Sequence, residues 1–180
     1  MDNNKGFTLI ELLVSIAIFG IVIAAVFGFM LSGTKSYSNI NSRVDLQTNS
    51  QLTMNFLEEY LIDCDEAFYN SADSLYIINK ATVDYTAYVF QYDSSKKSIF
   101  FKQGTAKKNA DGSYTCTLES PALLTDLAES FSISRDLSGS GDNIDASSAE
   151  IKVTFKNYSS EIKSAKFIAF RNEPSYKPIA

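Results

Sequence analysis

The pattern of apolar and polar positions divides the chain into three textures. A short polar stretch, Met1 to Gly6, gives way abruptly to apolar residues at Phe7. From Phe7 to Leu31 the only charged residue is Glu11, and Leu12 to Leu31 carries no charge. At about 1.5 Å per residue the uncharged run makes a helix about 30 Å long, which matches the hydrocarbon core of a bilayer. A helix in a soluble core is apolar on one stripe, whereas a membrane span is apolar on every side. From Ile40 the apolar positions recur at helical spacing as Ile40, Val44, Leu57, Leu61, Cys64 and Phe68, with Phe56 and Tyr60 beside them. Arg43, Asp45, Gln47, Asn49, Glu58, Glu59 and Asp63 fall off that stripe. The spacing predicts one helix from Phe7 to about Phe68, with its amphipathic second half laid on a sheet.

After Asn70 the periodicity changes to short strand-like segments. Leu75–Ile78, Ala87–Tyr92, Ser98–Lys102, Ser113–Glu119, Phe131–Ser134, Ile151–Phe155 and Lys166–Phe170 read as a mainly antiparallel set. Asp93-Ser94-Ser95-Lys96 and Asp111-Gly112 read as hairpin turns, and Ser138 to Asn143 reads as a loop. Pro121 to Leu127 reads as a turn followed by a helical piece. The fold class is therefore α+β.

Composition removes most chemistries. The 180 residues suffice for one domain, or a small domain plus an anchor. With 16 Lys+Arg against 21 Asp+Glu the net charge is -5, which argues against phosphate-backbone binding. The pairs Lys96-Lys97 and Lys107-Lys108 read as exposed hairpin charges, and the tyrosine-rich stretch Tyr85 to Tyr92 as strand packing. There is no histidine, so Ser-His-Asp and Cys-His catalysis and His-ligated metals are excluded. No nucleophile–base pair or paired acid stands out, so an enzyme is not expected, nor is any cofactor.

The acid in the apolar block carries the most information. A Glu in hydrocarbon costs roughly 2.5–3.5 kcal/mol on insertion scales, so it marks a functional position in need of a partner. A secretory signal peptide is the bland alternative, and Ser32-Gly33-Thr34 offers small residues for its cleavage site. The length of the block and the carboxylate inside it argue against that. Lys5 precedes the span while Lys35 and Arg43 follow it, so charge asymmetry gives no clear orientation.

Lys5-Gly6-Phe7-Thr8-Leu9-Ile10-Glu11-Leu12-Leu13 resembles the processing motif of type IV prepilins and pseudopilins. The resemblance implies that a membrane prepilin peptidase cuts between Gly6 and Phe7 and methylates the new amino terminus at Phe7. It implies that Glu11 is an assembly residue that neutralises the terminal amine of a neighbouring subunit. The pairing has a physical basis, because a cation and a carboxylate in lipid are each costly alone and less so together. The implied organisation is a leader at residues 1–6, a transmembrane and filament-core helix at 7–33, and an extracytoplasmic head at 34–180. Within the head the amphipathic helix would reach about residue 68 and the β-rich part cover 70–180. The implied partners are prepilin peptidase, other pilin or pseudopilin subunits, the pilus assembly platform and the membrane, with no direct nucleic-acid binding. The implied route is a single pass through the cytoplasmic membrane, head outward, then an extracellular filament.

The helix-then-sheet order also resembles the pilin fold, in which a long N-terminal helix packs on an antiparallel sheet. Many major pilins carry proline where this chain has Gly28, and many close a C-terminal loop with a disulfide, whereas the last cysteine here is Cys116. Both departures favour a minor subunit. The expected function is a minor type IV pilus subunit. The alternatives are a pseudopilin of a type II secretion or DNA-uptake apparatus, and a membrane-anchored adhesion or binding protein that never polymerises. Cys64 and Cys116 are candidates for a disulfide in an exported head, set against two buried free thiols. Asp136, Asp142 and Asp145, with Glu150, bracket the Gly/Ser loop and are calcium-type ligands, as in some pseudopilin heads. Their spacing departs from an EF-hand, and a solvated loop is the expectation.

Overall fold

A computed structural model describes residues 8–71, 73–82, 84–140, 143–157 and 160–176, with residues 136–140 and 143–146 described in their backbone alone. The chain forms two units, Met1–Asn41 and Ser42–Ala180. A single helix, α1 (Leu9–Ile62), supplies the described part of the first unit and opens the second. Every side chain from Thr8 to Asn41 is exposed, including Leu12, Ile16, Phe19, Phe27 and Phe29. The first half of α1 is thus apolar on all sides, and the helix is long and apolar enough to cross a membrane.

In the second unit α1 becomes one-sided. Leu46, Ser50, Thr53, Met54, Leu57 and Leu61 are buried, a face that recurs every three or four residues. The expected stripe holds at Leu57 and Leu61 but not at its start, where Ile40 and Val44 are exposed (59% and 53%) and Leu46, Ser50 and Thr53 are buried instead. Branched apolar residues marked the wrong side because the sheet presents polar partners at this end. Ser50 and Ser164 share a hydrogen bond between their hydroxyls, and Asn157 donates to the Ser42 carbonyl at 3.0 Å. Glu58 pairs with Lys166.

The helix ends at Ile62, short of the expected Phe68. Asp63, Asp65 and Glu66 follow immediately, and acids are disfavoured beside the negative C-terminal end of a helix dipole. They find donors elsewhere: Asp63 pairs with Arg171 at 2.7 Å, and Asp65 accepts the Lys80 N–H at 2.8 Å. Cys64 leaves the helix with them, and Phe68 is buried on the first strand, its ring 5.1 Å from that of Phe170.

Among the described residues ten strands follow: β1 (Ala67–Asn70), β2 (Ser74–Lys80), β3 (Tyr85–Asp93), β4 (Ser98–Lys108), β5 (Tyr114–Leu118), β6 (Ala122–Thr125), β7 (Ala128–Ser140), β8 (Asn143–Lys156), β9 (Glu161–Ala169) and β10 (Ser175–Tyr176). The order is β5-β4-β3-β2-β1-β10-β8-β7, with β6 on β4 and β9 on β8. All pairings are antiparallel except β1 with β10, which is parallel. Both expected hairpin turns form. In the first, Asp93 Oδ1 accepts the N–H groups of Ser95 (3.0 Å) and Lys96 (3.1 Å), and Lys97 takes a φ of 53°. In the second, Asp111 accepts the Ser113 N–H at 2.9 Å and Gly112 takes a φ of 83°, where glycine avoids a Cβ clash.

Two expectations fail here. Ala122–Thr125 is a strand on β4 and not a helical piece, because pairing across a bulge at Ile99/Phe100 overrides the local preference of Ala-Leu-Leu. Among its described residues the stretch expected as a loop is ladder: past a register shift at Asp136/Leu137, β7 and β8 stay paired to Ser140↔Asn143. Their long Phe131–Ile133 and Ile151–Val153 pairing propagates the hairpin through serine and glycine.

The strand period of two sorts side chains into two clusters. Phe68, Leu75, Ile77, Phe90, Ile99, Phe131, Ile151, Val153, Phe155 and Ile168 pack with Leu46, Met54, Leu57 and Leu61 of α1. Burying each large side chain is worth about 1.5–3 kcal/mol. The smaller cluster holds Ala67, Ile78, Ala87, Ala106 and Tyr114. Over the main core, Phe56 and Tyr60 meet Phe90, Phe101 and Tyr88, with the Tyr60–Tyr88 centroids 4.6 Å apart. The tyrosine-rich strand packs inward, as its alternation predicts.

Candidate functional site

The first turn of α1 is built around two residues. Thr8 stands just before the helix, and its N–H donates to Glu11 Oε2 at 3.0 Å. Its hydroxyl donates to the same oxygen at 2.8 Å and accepts the Glu11 N–H at 3.4 Å. This is a capping box: a helix starts with free N–H groups, and the pair satisfies two of them reciprocally. The carboxylate also stands at the positive end of the helix dipole. One turn on, the Ser15 hydroxyl donates to the Glu11 carbonyl at 2.7 Å. The acid in the apolar block therefore has a partner in its own chain. The sequence carried the signal as Thr8-x-x-Glu11 ahead of an apolar run, and attention to the charge alone missed it.

Gly6 and Phe7 lie outside the described residues. Residues 1–27 match the prokaryotic N-terminal methylation motif family. The chain carries the type IV prepilin and pseudopilin signal. Behind the signal, the long apolar helix and the antiparallel sheet form a pilin-like α+β architecture. Among curated proteins and solved structures nothing matches the chain. The signal marks a membrane-associated protein of the kind prepilin peptidase processes, and it points to a structural subunit.

The head residues singled out in the sequence are not brought together. Cys64 and Cys116 are free thiols and not a disulfide. Leaving the helix turned Cys64 into the main core, where its S–H donates to the Ala67 carbonyl at 3.3 Å. Cys116 flanks the smaller cluster. Burial pushes both thiols up, Cys64 far above the reactive range with the Asp65 charge adding to it. Asp136 and Asp145 lie on β7 and β8, paired with Ser148 and Ser138, and Asp142 lies outside the described residues. Glu150 is engaged by Lys152 at 2.6 Å and Ser134 at 3.2 Å. Among the described residues no group of three ligands suited to a metal forms.

The basic pairs are largely spoken for. Lys96 meets Asp93 at 3.5 Å, Lys97 meets Glu129 at 2.6 Å and Lys108 meets Glu66 at 2.5 Å. The last belongs to a network no sequence spacing announced, because Glu66, Lys108 and Tyr114 are brought together by β-pairing. The Tyr114 hydroxyl donates to the same Glu66 oxygen at 2.5 Å. Burial pushes the Glu66 carboxyl up, but the hydrogen bonds from Lys108 and Tyr114 and the Lys108 and Lys80 charges outweigh it, leaving it below its ordinary value. Its hydrogen bond to Glu66 raises Lys108, and burial, with a separate hydrogen bond to Glu66, pushes Tyr114 up to about 12.

Proposed function

We propose that this chain is a minor structural subunit of a type IV pilus. Prepilin peptidase cuts between Gly6 and Phe7 and methylates Phe7, and the apolar half of α1 holds the subunit in the membrane before it enters the filament. Glu11 pairs with the terminal amine of a neighbouring subunit. The organisation that follows is a leader at 1–6, a span and filament-core helix at 7–33 and an outward-facing head at 34–180.

The observation that carries this reading is the methylation motif over residues 1–27 in register with a helix that is apolar on every side. An uncompensated carboxylate in that helix is costly, and an ammonium offsets the cost. A pseudopilin of a type II secretion or DNA-uptake apparatus uses the same signal and is the second reading. Gly28, where many major pilins have proline, supports a minor subunit.

The test is Glu11→Ala in the native host. The variant is expected to be cleaved and methylated but absent from sheared filaments. Normal incorporation would remove the pairing role.

A further inference from the structure

The face of the sheet turned away from α1 carries a cleft beside the β3–β4 hairpin. Phe90 and Phe101 meet Phe56 of α1, so by strand alternation Gln91, Phe100 and Lys102 point to the other face. Gln91 and Phe100 are partners across β3 and β4, and β6 joins β4 through the irregularity at Ile99/Phe100. Irregularities of that kind re-aim a side chain. With Asp73 and Pro121 these residues line a cavity of about 380 Å³, inside the range of about 300–1,000 Å³ usual for small-molecule sites.

Most of the charge in the cleft is answered from within. Asp73 and Asp93 stand against Lys96 and Lys102, so the lining has no net charge. Lys96 reaches Asp93 at 3.5 Å and lies 5.7 Å from the centre of the Phe100 ring. Lys102 donates to the Gln91 side-chain carbonyl at 2.7 Å, which fixes the amide and leaves its NH2 group open. The Asp73 carbonyl accepts the Tyr92 N–H at 2.7 Å, so its backbone is pinned. Among the described residues the Asp73 carboxylate accepts no hydrogen bond. What remains is an open acceptor, an open amide donor and a half-buried aromatic ring. Such a set hydrogen-bonds neighbouring hydroxyls and offers its ring to an apolar C–H face, two properties that a pyranose combines. A purely apolar ligand would leave Asp73 and Gln91 without partners, which is costly.

We propose that this cleft is a carbohydrate site for a neutral hexose unit: Asp73 and the Gln91 amide take neighbouring hydroxyls, and Phe100 takes the sugar's apolar face. Lys102 is a positioning residue that holds the Gln91 amide. The cleft lies on the opposite side of the sheet from α1, so a filament assembled through α1 leaves it outward. The binding itself does not depend on the role of Glu11.

The test uses the full chain in a detergent without a sugar headgroup. Glucose, galactose and mannose are the probes, titrated by saturation-transfer NMR, and saturable binding of at least one is expected. Asp73→Ala removes an exposed side chain with no internal hydrogen bond and is expected to weaken binding about tenfold, the scale of one hydrogen bond to a charged group. Phe100→Leu keeps the apolar bulk but not the flat ring, and is expected to weaken binding with the melting midpoint held. Lys107→Ala, on the α1 face of the same strand, is expected to bind as the parent does. No saturable binding of any of the three sugars overturns the proposal, as does parent-like binding by Asp73→Ala. Binding of glucosamine or glucuronate alone, abolished by salt, would make the cleft an ion site and overturn it too. Glu11→Ala is expected to bind sugar as the parent does, so a failure of this site and a failure of the assembly reading are read separately.

Discussion

Gly104 and Thr117 approach each other so closely across β4 and β5 that a Cβ on Gly104 would lie 2.0 Å from the Thr117 carbonyl oxygen. The obstacle is backbone, which cannot rotate away as a side chain can. Gly104→Ala is therefore expected to destabilise the head by about 1–3 kcal/mol, the usual range for overpacking. Thermal melting of the full chain in detergent measures it, and an unchanged midpoint would show that the two strands separate without cost.

The buried face of α1, which takes in Leu57 and leaves out Val44, makes a paired prediction. Leu57 is fully buried against the sheet, and Leu57→Ala is expected to cost about 2–5 kcal/mol. Val44 is 53% exposed, and Val44→Ala should change head stability by no more than about 0.5 kcal/mol. Denaturant melts of the two variants compare them directly.

Glu66 gives the head a pH signature. Folding holds its carboxyl below the ordinary value of 4.5. Such a group stabilises the fold above its unfolded pKa, and that contribution is lost as pH falls through the folded one. Head stability is expected to decline below about pH 4.5, and Glu66→Gln to flatten that part of the decline. Melting midpoints between pH 6 and pH 3, about the range in which carboxylates titrate, carry the comparison.

The cysteines offer a chemical check. Non-reducing peptide mapping should recover Cys64 and Cys116 separately as alkylatable thiols. In the folded protein Cys64 should react much more slowly than Cys116, since it is fully buried and its thiolate is disfavoured. A linked Cys64–Cys116 peptide would contradict the free-thiol assignment.

How much of this was legible depends on the range of the interaction. The apolar block, the strand alternation of Ala87–Tyr92 and the turns at Asp93 and Asp111 are set by neighbours a few residues apart, and they read correctly. The strand at Ala122–Thr125 and the buried Ser50 are decided by distant partners, Ile99 and Ser164. Local preference gives no hint of those. The Glu66–Lys108–Tyr114 network was invisible for the same reason. Thr8 is different: its capping box is local and was present in the sequence beside the acid that drew attention.

The most direct measurement is the mass and N-terminal peptide sequence of the mature chain isolated from its native host. The account predicts a chain that begins at Phe7 and carries one added methyl group. A mature, filament-borne chain that retains Met1 to Gly6 would contradict it.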